Sequence, residues 1–246
     1  MKMNASDIPY LKGQKFTNDL CLGLKQIGSG TDAFDRLEFL RQTVAGKSVI
    51  HVGCVDHMPL IAEKRKHGLW LHEILLKSAR TCVGIDINRE GIDYMKEQGI
   101  ADVYHADIIR DEIPAQIKSR KFDYLVLGEM IEHVDNPVDF LSAVRKKFAD
   151  VVESIVTTTP NAFRFQNMVA SLRQRENINS DHRYWFTPYT LLKIMSQAGY
   201  EDIDVDTVWY SPRRSFVTGT IRSMIGSAFP GTKDCLIARA KLNASL

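Results

Sequence analysis

At 246 residues, 44% hydrophobic and 25% charged, the chain has the composition of an ordinary globular protein and the length of one α/β domain with at most a small cap. A net charge of +2 and a pI near 8.3 give no strong field for nucleic acid or an anionic membrane, which argues against a nucleic-acid partner. Cys21, Cys54, Cys82 and Cys235 are scattered without a CxxC pair, the first ten residues lack an apolar signal-peptide core, and no run reaches the roughly 18 apolar residues of a membrane span. Those features predict a soluble, cytoplasmic protein with reduced thiols.

In chain order, Gly28-Ser-Gly30 marks a break. Phe34, Leu37, Leu40 and Val44 then recur at helical spacing over Asp32–Thr43. Strand one is predicted at Ser48–Val52, a helix at Leu69–Ala79, strand two at Thr81–Ile85, and a helix at Arg89–Gln98 stopped by Gly99. Glu63-Lys-Arg-Lys-His67 reads as a solvated loop insertion, and Trp70 and His72 as packing and surface residues. Val103–Asp107 is a short third strand, and Phe122–Leu127 is so uniformly apolar that it belongs at the sheet centre. A helix at Pro137–Phe148, a strand at Glu153–Thr158, a helix at Tyr189–Ala198 opened by Thr187-Pro188, and strands at Tyr200–Val208 and Asp234–Ala240 complete the series. Ser215–Phe229 is mildly amphipathic and reads as a packed connecting helix, with a cover over substrate or a lipid contact as the other readings. Strands alternating with helices predict a doubly wound, mostly parallel sheet.

The stretch from Lys47 to Asp86 carries the first functional signal. Its first strand breaks at Gly53, and its second ends on Asp86. A glycine after one parallel strand lets backbone approach a ligand, and an acid at the end of the next accepts hydrogen bonds from ribose hydroxyls. That arrangement points to a nucleoside ligand; a helix N-cap is the plain alternative for Asp86.

Five segments in order then resemble the class I S-adenosylmethionine-dependent methyltransferases. They are His51-Val-Gly53-Cys-Val-Asp56-His57, Gly84-Ile-Asp86-Ile87, His105-Ala-Asp107-Ile108, Phe122 to Val134, and Thr158-Thr-Pro160-Asn161. The resemblance implies a Rossmann-like, seven-stranded α/β sheet whose last strand is antiparallel. It implies S-adenosylmethionine as cofactor, held by His51, Gly53, Cys54, Asp86, Ile87, Asp107, Ile108, Gly128 and Glu129. It also implies an N-terminal helical segment (1–44) over the cofactor and a methyltransferase domain (45–246), with 161–188 and 211–230 as acceptor-side insertions. The chain departs from the family pattern at His51, where an acid is usual, and at Val55 and His57, where glycines are usual. The Gly53-to-Asp86 spacing is also longer than the family norm. Asp107 serves the adenine side in this reading; a turn cap is the alternative.

Methylating an alcohol or phenol requires managing its proton, by a base or a Lewis acid. Glu129-Met-Ile-Glu132-His133 and, later, Asp181-His182 beside Tyr184, Trp185 and Phe186 offer such groups. They resemble the ubiquinone-biosynthesis-type O-methyltransferases and the small-RNA 2′-O-methyltransferases. That likeness implies that Glu129, Glu132, His133 and His182 ligate a divalent ion (Mg²⁺, Mn²⁺ or Zn²⁺), while a metal-free site would use His133 or His182 as base. The three aromatics wall an acceptor pocket or pack in the core. The overall pattern is also similar to methyltransferases of sugar and cell-surface polysaccharide biosynthesis. The expected activity is therefore O-methylation of a small molecule or saccharide. RNA 2′-O-methylation and a non-catalytic cofactor-binding scaffold are the alternatives.

Overall fold

The computed structural model describes residues 6–24, 35–210, 224, 226 and 228–242. The single turn α1 (Ile8–Leu11) packs on a late helix, and Leu11 joins the main core. α2 (Arg36–Thr43) starts at Asp35, whose side chain accepts the Glu38 N–H at 3.0 Å, an N-cap that satisfies one orphan donor of the first turn. β1 (Ser48–Val52) follows, then α3 (Met58–Lys66), α4 (Leu71–Ser78), β2 (Thr81–Asp86), α5 (Arg89–Glu97) and β3 (Val103–His105). The second half runs α6 (Ala115–Lys118), β4 (Phe122–Gly128), α7 (Pro137–Phe148), β5 (Val152–Pro160), α8 (Phe165–Leu172), α9 (Pro188–Gln197), β6 (Asp204–Val208) and β7 (Cys235–Lys241).

The seven strands form one sheet in the order β3-β2-β1-β4-β5-β7-β6, with β7 antiparallel to both of its neighbours. The doubly wound sheet with an antiparallel last strand is thus present, and β4 lies at its centre. Leu125, Val126 and Leu127 of β4 are fully buried because helices cover both faces. One face carries the larger core, including Ile50, Val52, Leu127, Phe140, Leu141 and Leu192. The other packs Val49, Val126 and Val156 against Leu40 of α2 and Leu71 and Leu75 of α4. In this topology strand order reverses between β1 and β4, and ligands bind beyond the carboxyl ends of the strands at that switch.

Three expectations need correction. The Glu63–His67 stretch is the end of α3, where Lys64, Arg65 and Lys66 sit favourably against the negative end of the helix dipole. His72 is fully buried rather than at the surface. The strand expected from Tyr200 begins at Asp204, and Tyr200 instead lies in the core with its hydroxyl donating to the Leu141 carbonyl. The 211–223 part of the expected amphipathic segment lies outside the described residues. All four cysteines are free, and among the described residues no helix is long and apolar enough to cross a membrane.

Candidate active site

The loop after β1 is tied to the end of β2. Gly53 has φ +77°, a backbone region open to glycine at little cost, and its N–H and that of Cys54 both donate to the Ile85 carbonyl. The Asp86 carboxylate then accepts the Val55 N–H at 2.8 Å with one oxygen and the Asn88 N–H at 2.9 Å with the other. Burial raises the Asp86 carboxyl, while the Asn88, Val55 and Ile87 N–H groups oppose it. The N-cap of α5 is Asn88, not Asp86, since the Asn88 side chain accepts the Gly91 N–H. Val55 fits only because position 91 lacks a side chain: a Cβ there would lie 2.2 Å from Val55 Cγ1. Beside Asp86, Ile87 is 63% exposed, an apolar side chain left open at the strand end.

Behind this turn lies a buried polar group. His51 Nδ1 and His72 Nδ1 are 3.1 Å apart, with the two rings stacked. Burial holds both imidazoles below the usual histidine range, His72 at about 4, so both are neutral at pH 7. Arg36, at the start of α2, is also buried and stands 4.9 Å from the Tyr210 ring centre. Burial works against its charge, but Glu129, with Tyr210, Cys235 and Glu132, more than offsets it, so the guanidinium remains a cation. Its backbone N–H is anchored to the Trp209 carbonyl at 2.7 Å.

Beyond β4 the chain turns sharply. Glu129 has φ +54°, unusual for a residue with a side chain, and its N–H is held by both the carbonyl and the hydroxyl of Thr158. Its Oε1 accepts from the Cys235 thiol at 3.3 Å. Three residues on, Glu132 is fully buried and accepts the Thr159 hydroxyl at 2.9 Å. Burial, then the Glu129 charge, pushes the Glu132 carboxyl well up.

The segment before α9 is stitched onto this turn. The Arg183 N–H donates to the Glu132 carbonyl, Arg183 Nη1 to the His133 carbonyl, and the Tyr184 hydroxyl to the Asp135 carbonyl. The stitching brings His133 and His182 edge to face at 4.6 Å. His133 Nδ1 donates to the Asp181 carbonyl at 3.2 Å; a carbonyl only accepts, so the neutral ring carries its lone pair on Nε2. Burial lowers both imidazoles, and His133 lowers His182 further. Glu132, His133 and His182 each offer a ligand atom within 4.8 Å of the others. Glu132 Oε1 and His182 Nδ1 are buried without a hydrogen-bond partner among the described residues. The solvent-facing side of nearby α8 shows Phe165, Met168 and Leu172 at i, i+3 and i+7.

A family described as a methyltransferase domain matches residues 30–205. The chain belongs to that family. It is a class I S-adenosylmethionine-dependent methyltransferase, and S-adenosylmethionine is the family's cofactor. The chain is 24% identical over 197 residues to a ubiquinone biosynthesis O-methyltransferase of Psychrobacter arcticus, covering 76% of this chain and 72% of the relative. Two solved structures show the same fold. One is the small RNA methyltransferase HEN1, with TM-score 0.56 and 16% identity over 94% of this chain but 27% of that one. The other is a possible histamine N-methyltransferase from Thermotoga maritima, with TM-score 0.54 and 11% identity over 89% of this chain and 92% of that one.

Within the methyltransferase, Gly53, Cys54, Asp86, Ile87, Gly128 and Glu129 all lie at the carboxyl ends of β1, β2 and β4. The His51 side chain instead faces α4, and Ile108 points into the core. Asp107 closes its own turn, its Oδ1 accepting the Ile109 and Arg110 N–H groups. Glu129 is outside the Glu132, His133 and His182 group, because its left-handed backbone aims it at Cys235. Phe186 packs in the core, whereas Tyr184 is exposed and Trp185 partly so, stacked by Arg164 at 4.8 Å. Sequence reasoning missed Arg36. Its visible signal is a cation placed four residues before the apolar Leu40, on the same helix face.

Proposed function

We propose that the enzyme transfers a methyl group to a hydroxyl of a small-molecule acceptor, with His133 or His182 taking the acceptor's proton. The observation that carries this reading is the hydrogen bond from His133 Nδ1 to the Asp181 carbonyl, which leaves Nε2 as a proton acceptor on a half-buried ring. Because burial holds the His133 and His182 rings below the usual range, both are unprotonated at pH 7, as a base requires.

S-adenosylmethionine supplies, when bound, a methyl group made electrophilic by its sulfonium. The chain's groups fit that molecule in order. The second lone pairs of the Asp86 oxygens would accept from the ribose hydroxyls, exposed Ile87 would offer an apolar surface to the base, and the Gly53 turn would admit close backbone approach. Arg36 would pair with the carboxylate of the methionine end, since it is a buried cation whose Nε has no hydrogen-bond partner among the described residues. Holding the two reactants in line is itself worth several kcal/mol, up to about 7–11 in the best oriented cases.

As the alternative to a histidine base, the unpartnered Glu132 Oε1 and His182 Nδ1, with His133, fit a divalent ion. Those three residues would hold it, and its contribution there is Lewis acidity at the acceptor oxygen. Glu129 is not among its ligands in this arrangement.

The test is methyl transfer from labelled S-adenosylmethionine to a panel of catechols and phenols, with hydroxylated sugars and short RNA duplexes as separate arms. Transfer to oxygen of a small molecule, lost in His133→Ala or His182→Ala, supports the reading. Transfer to RNA favours the 2′-O alternative, undiminished activity in both variants removes the base, and no transfer in any arm favours the scaffold. No described residue of the site singles out a saccharide, so the sugar arm decides that point.

A further inference from the structure

We propose that His51 is a positioning residue for the cofactor's carboxylate: it presents the lone pair of Nε2 to Arg36 and so orients that guanidinium. The inference rests on the reading of Arg36 as the carboxylate's partner.

The geometry begins with the imidazole pair. His51 is 2% exposed and His72 fully buried, and their Nδ1 atoms at 3.1 Å share a single hydrogen. Two hydrogens there would meet head on, and none would set two lone pairs against each other. Which ring donates is decided at the other side of His51. A Cβ on Gly128 would lie 3.6 Å from Arg36 Nη1 and 3.8 Å from His51 Nε2, so both atoms border the space over the bare α-carbon of Gly128, and the Arg36 charge acts on the His51 ring. If His72 donated, His51 would carry its hydrogen on Nε2 and aim an N–H dipole at a cation. If His51 donates, Nε2 turns a lone pair to that cation. In a buried site Coulomb's law selects the second arrangement.

The charged and titratable groups acting on His51 are Arg36 from α2 and the partner ring His72 from α4. Glu129, from the end of β4, acts on the guanidinium. Arg36 Nε, His51 Nε2 and His72 Nε2 have no hydrogen-bond partner among the described residues, so Arg36 and His51 interact through space. An acid at position 51, the usual residue of the resemblance, would add a second negative charge beside Glu129. A neutral imidazole orients Arg36 and leaves more of its charge for an incoming carboxylate. Gly128 is part of the device, since a methyl group there would also lie 2.3 Å from Leu71 Cδ2.

The experiment compares two ligands by calorimetry. S-adenosylhomocysteine carries the carboxylate, and 5′-methylthioadenosine lacks the whole amino-acid end. His51→Leu is expected to weaken S-adenosylhomocysteine about tenfold and leave 5′-methylthioadenosine unchanged. His51→Gln, with an amide oxygen near the place of Nε2, is expected to stay within about twofold of the parent for both ligands. Equal loss of both ligands in His51→Leu, no loss of either, or a His51→Gln as impaired as His51→Leu would overturn the proposal. Arg36→Leu separates the two levels: if it fails to discriminate the ligands, the reading of Arg36 falls as well. If it discriminates and His51→Leu does not, the His51 proposal alone falls. An independent readout is the imidazole ¹⁵N spectrum of the unmodified protein. A pyridine-type Nε2 signal for His51 is expected, and a pyrrole-type signal contradicts the assignment.

Discussion

The turn after β1 and the turn after β4 end at the same edge of the sheet but are held differently. Asp86 ties the first to α5 through two backbone N–H groups, and Val55 is seated in the space left by Gly91. The second is held by a segment some fifty residues away in sequence, through Arg183 and Tyr184 on the carbonyls of Glu132, His133 and Asp135. In the first turn the backbone N–H groups of Gly53, Cys54 and Val55 all have partners. The second leaves Glu132 Oε1 and, on the segment stitched to it, His182 Nδ1 without partners among the described residues. Satisfied groups hold a shape for a ligand that is always the same, whereas unsatisfied ones are available for chemistry. The changed residues of the first turn are accommodated in the packing, because Val55 and Gly91 fit each other.

Three substitutions or conditions sharpen that contrast. The largest effect is expected on the acceptor side: His133→Ala combined with His182→Ala should lower kcat by about 10²–10⁴-fold. Calorimetry on the same variant should find S-adenosylhomocysteine affinity nearly unchanged. A parallel loss of cofactor affinity would show that the two turns are not separable.

Next comes Gly91→Ala, whose methyl group would lie 2.2 Å from Val55 Cγ1. Overpacking of this kind should destabilise the fold by about 1–3 kcal/mol in urea unfolding. Val55→Gly in the same chain should recover most of it, and absence of recovery would break the claim of mutual fit.

The last effect is confined to acid pH and vanishes at neutrality. The folded His72 value is about 4 against an ordinary 6.5, so between those values the unfolded chain binds a proton that the folded chain does not. Stability from this residue is unaffected above pH 6.5 and falls as pH drops toward 4, by at most about 1.4 kcal/mol per pH unit. The buried His51 acts in the same direction, while Asp86, with its raised carboxyl, acts in the opposite one. Chemical denaturation at a series of pH values should show a shallower acid slope in His72→Phe.

What the sequence revealed follows burial. β4 was legible because both its faces are covered, and α7 because Asn136 caps it and Phe140, Leu141, Val144 and Phe148 mark one buried face. α3 was not, since Ile61 is its one buried residue and a helix that buries so little displays no period. α8 buries Ala170 alone and turns its larger apolar residues outward. At the site, the strand-end residues Gly53 and Asp86 could be found from local pattern, because strand ends mark the binding edge. Arg36 could not, because its anchor and the ring it faces are Trp209 and Tyr210, at the far end of the chain. His72 was misplaced for a related reason: the partner that makes its burial tolerable is His51, on another element. The separation of Glu129 from Glu132 and His133 depends on the left-handed backbone at 129, which spacing does not show.

The most direct measurement is calorimetric titration with S-adenosylhomocysteine of the unmodified protein and of Asp86→Ala, with folding of the variant checked by circular dichroism. Micromolar binding that disappears in the folded variant is the predicted result. A folded parent that binds nothing, or an Asp86→Ala that binds as well as the parent, would contradict the account of the β1–β2 edge as the cofactor site.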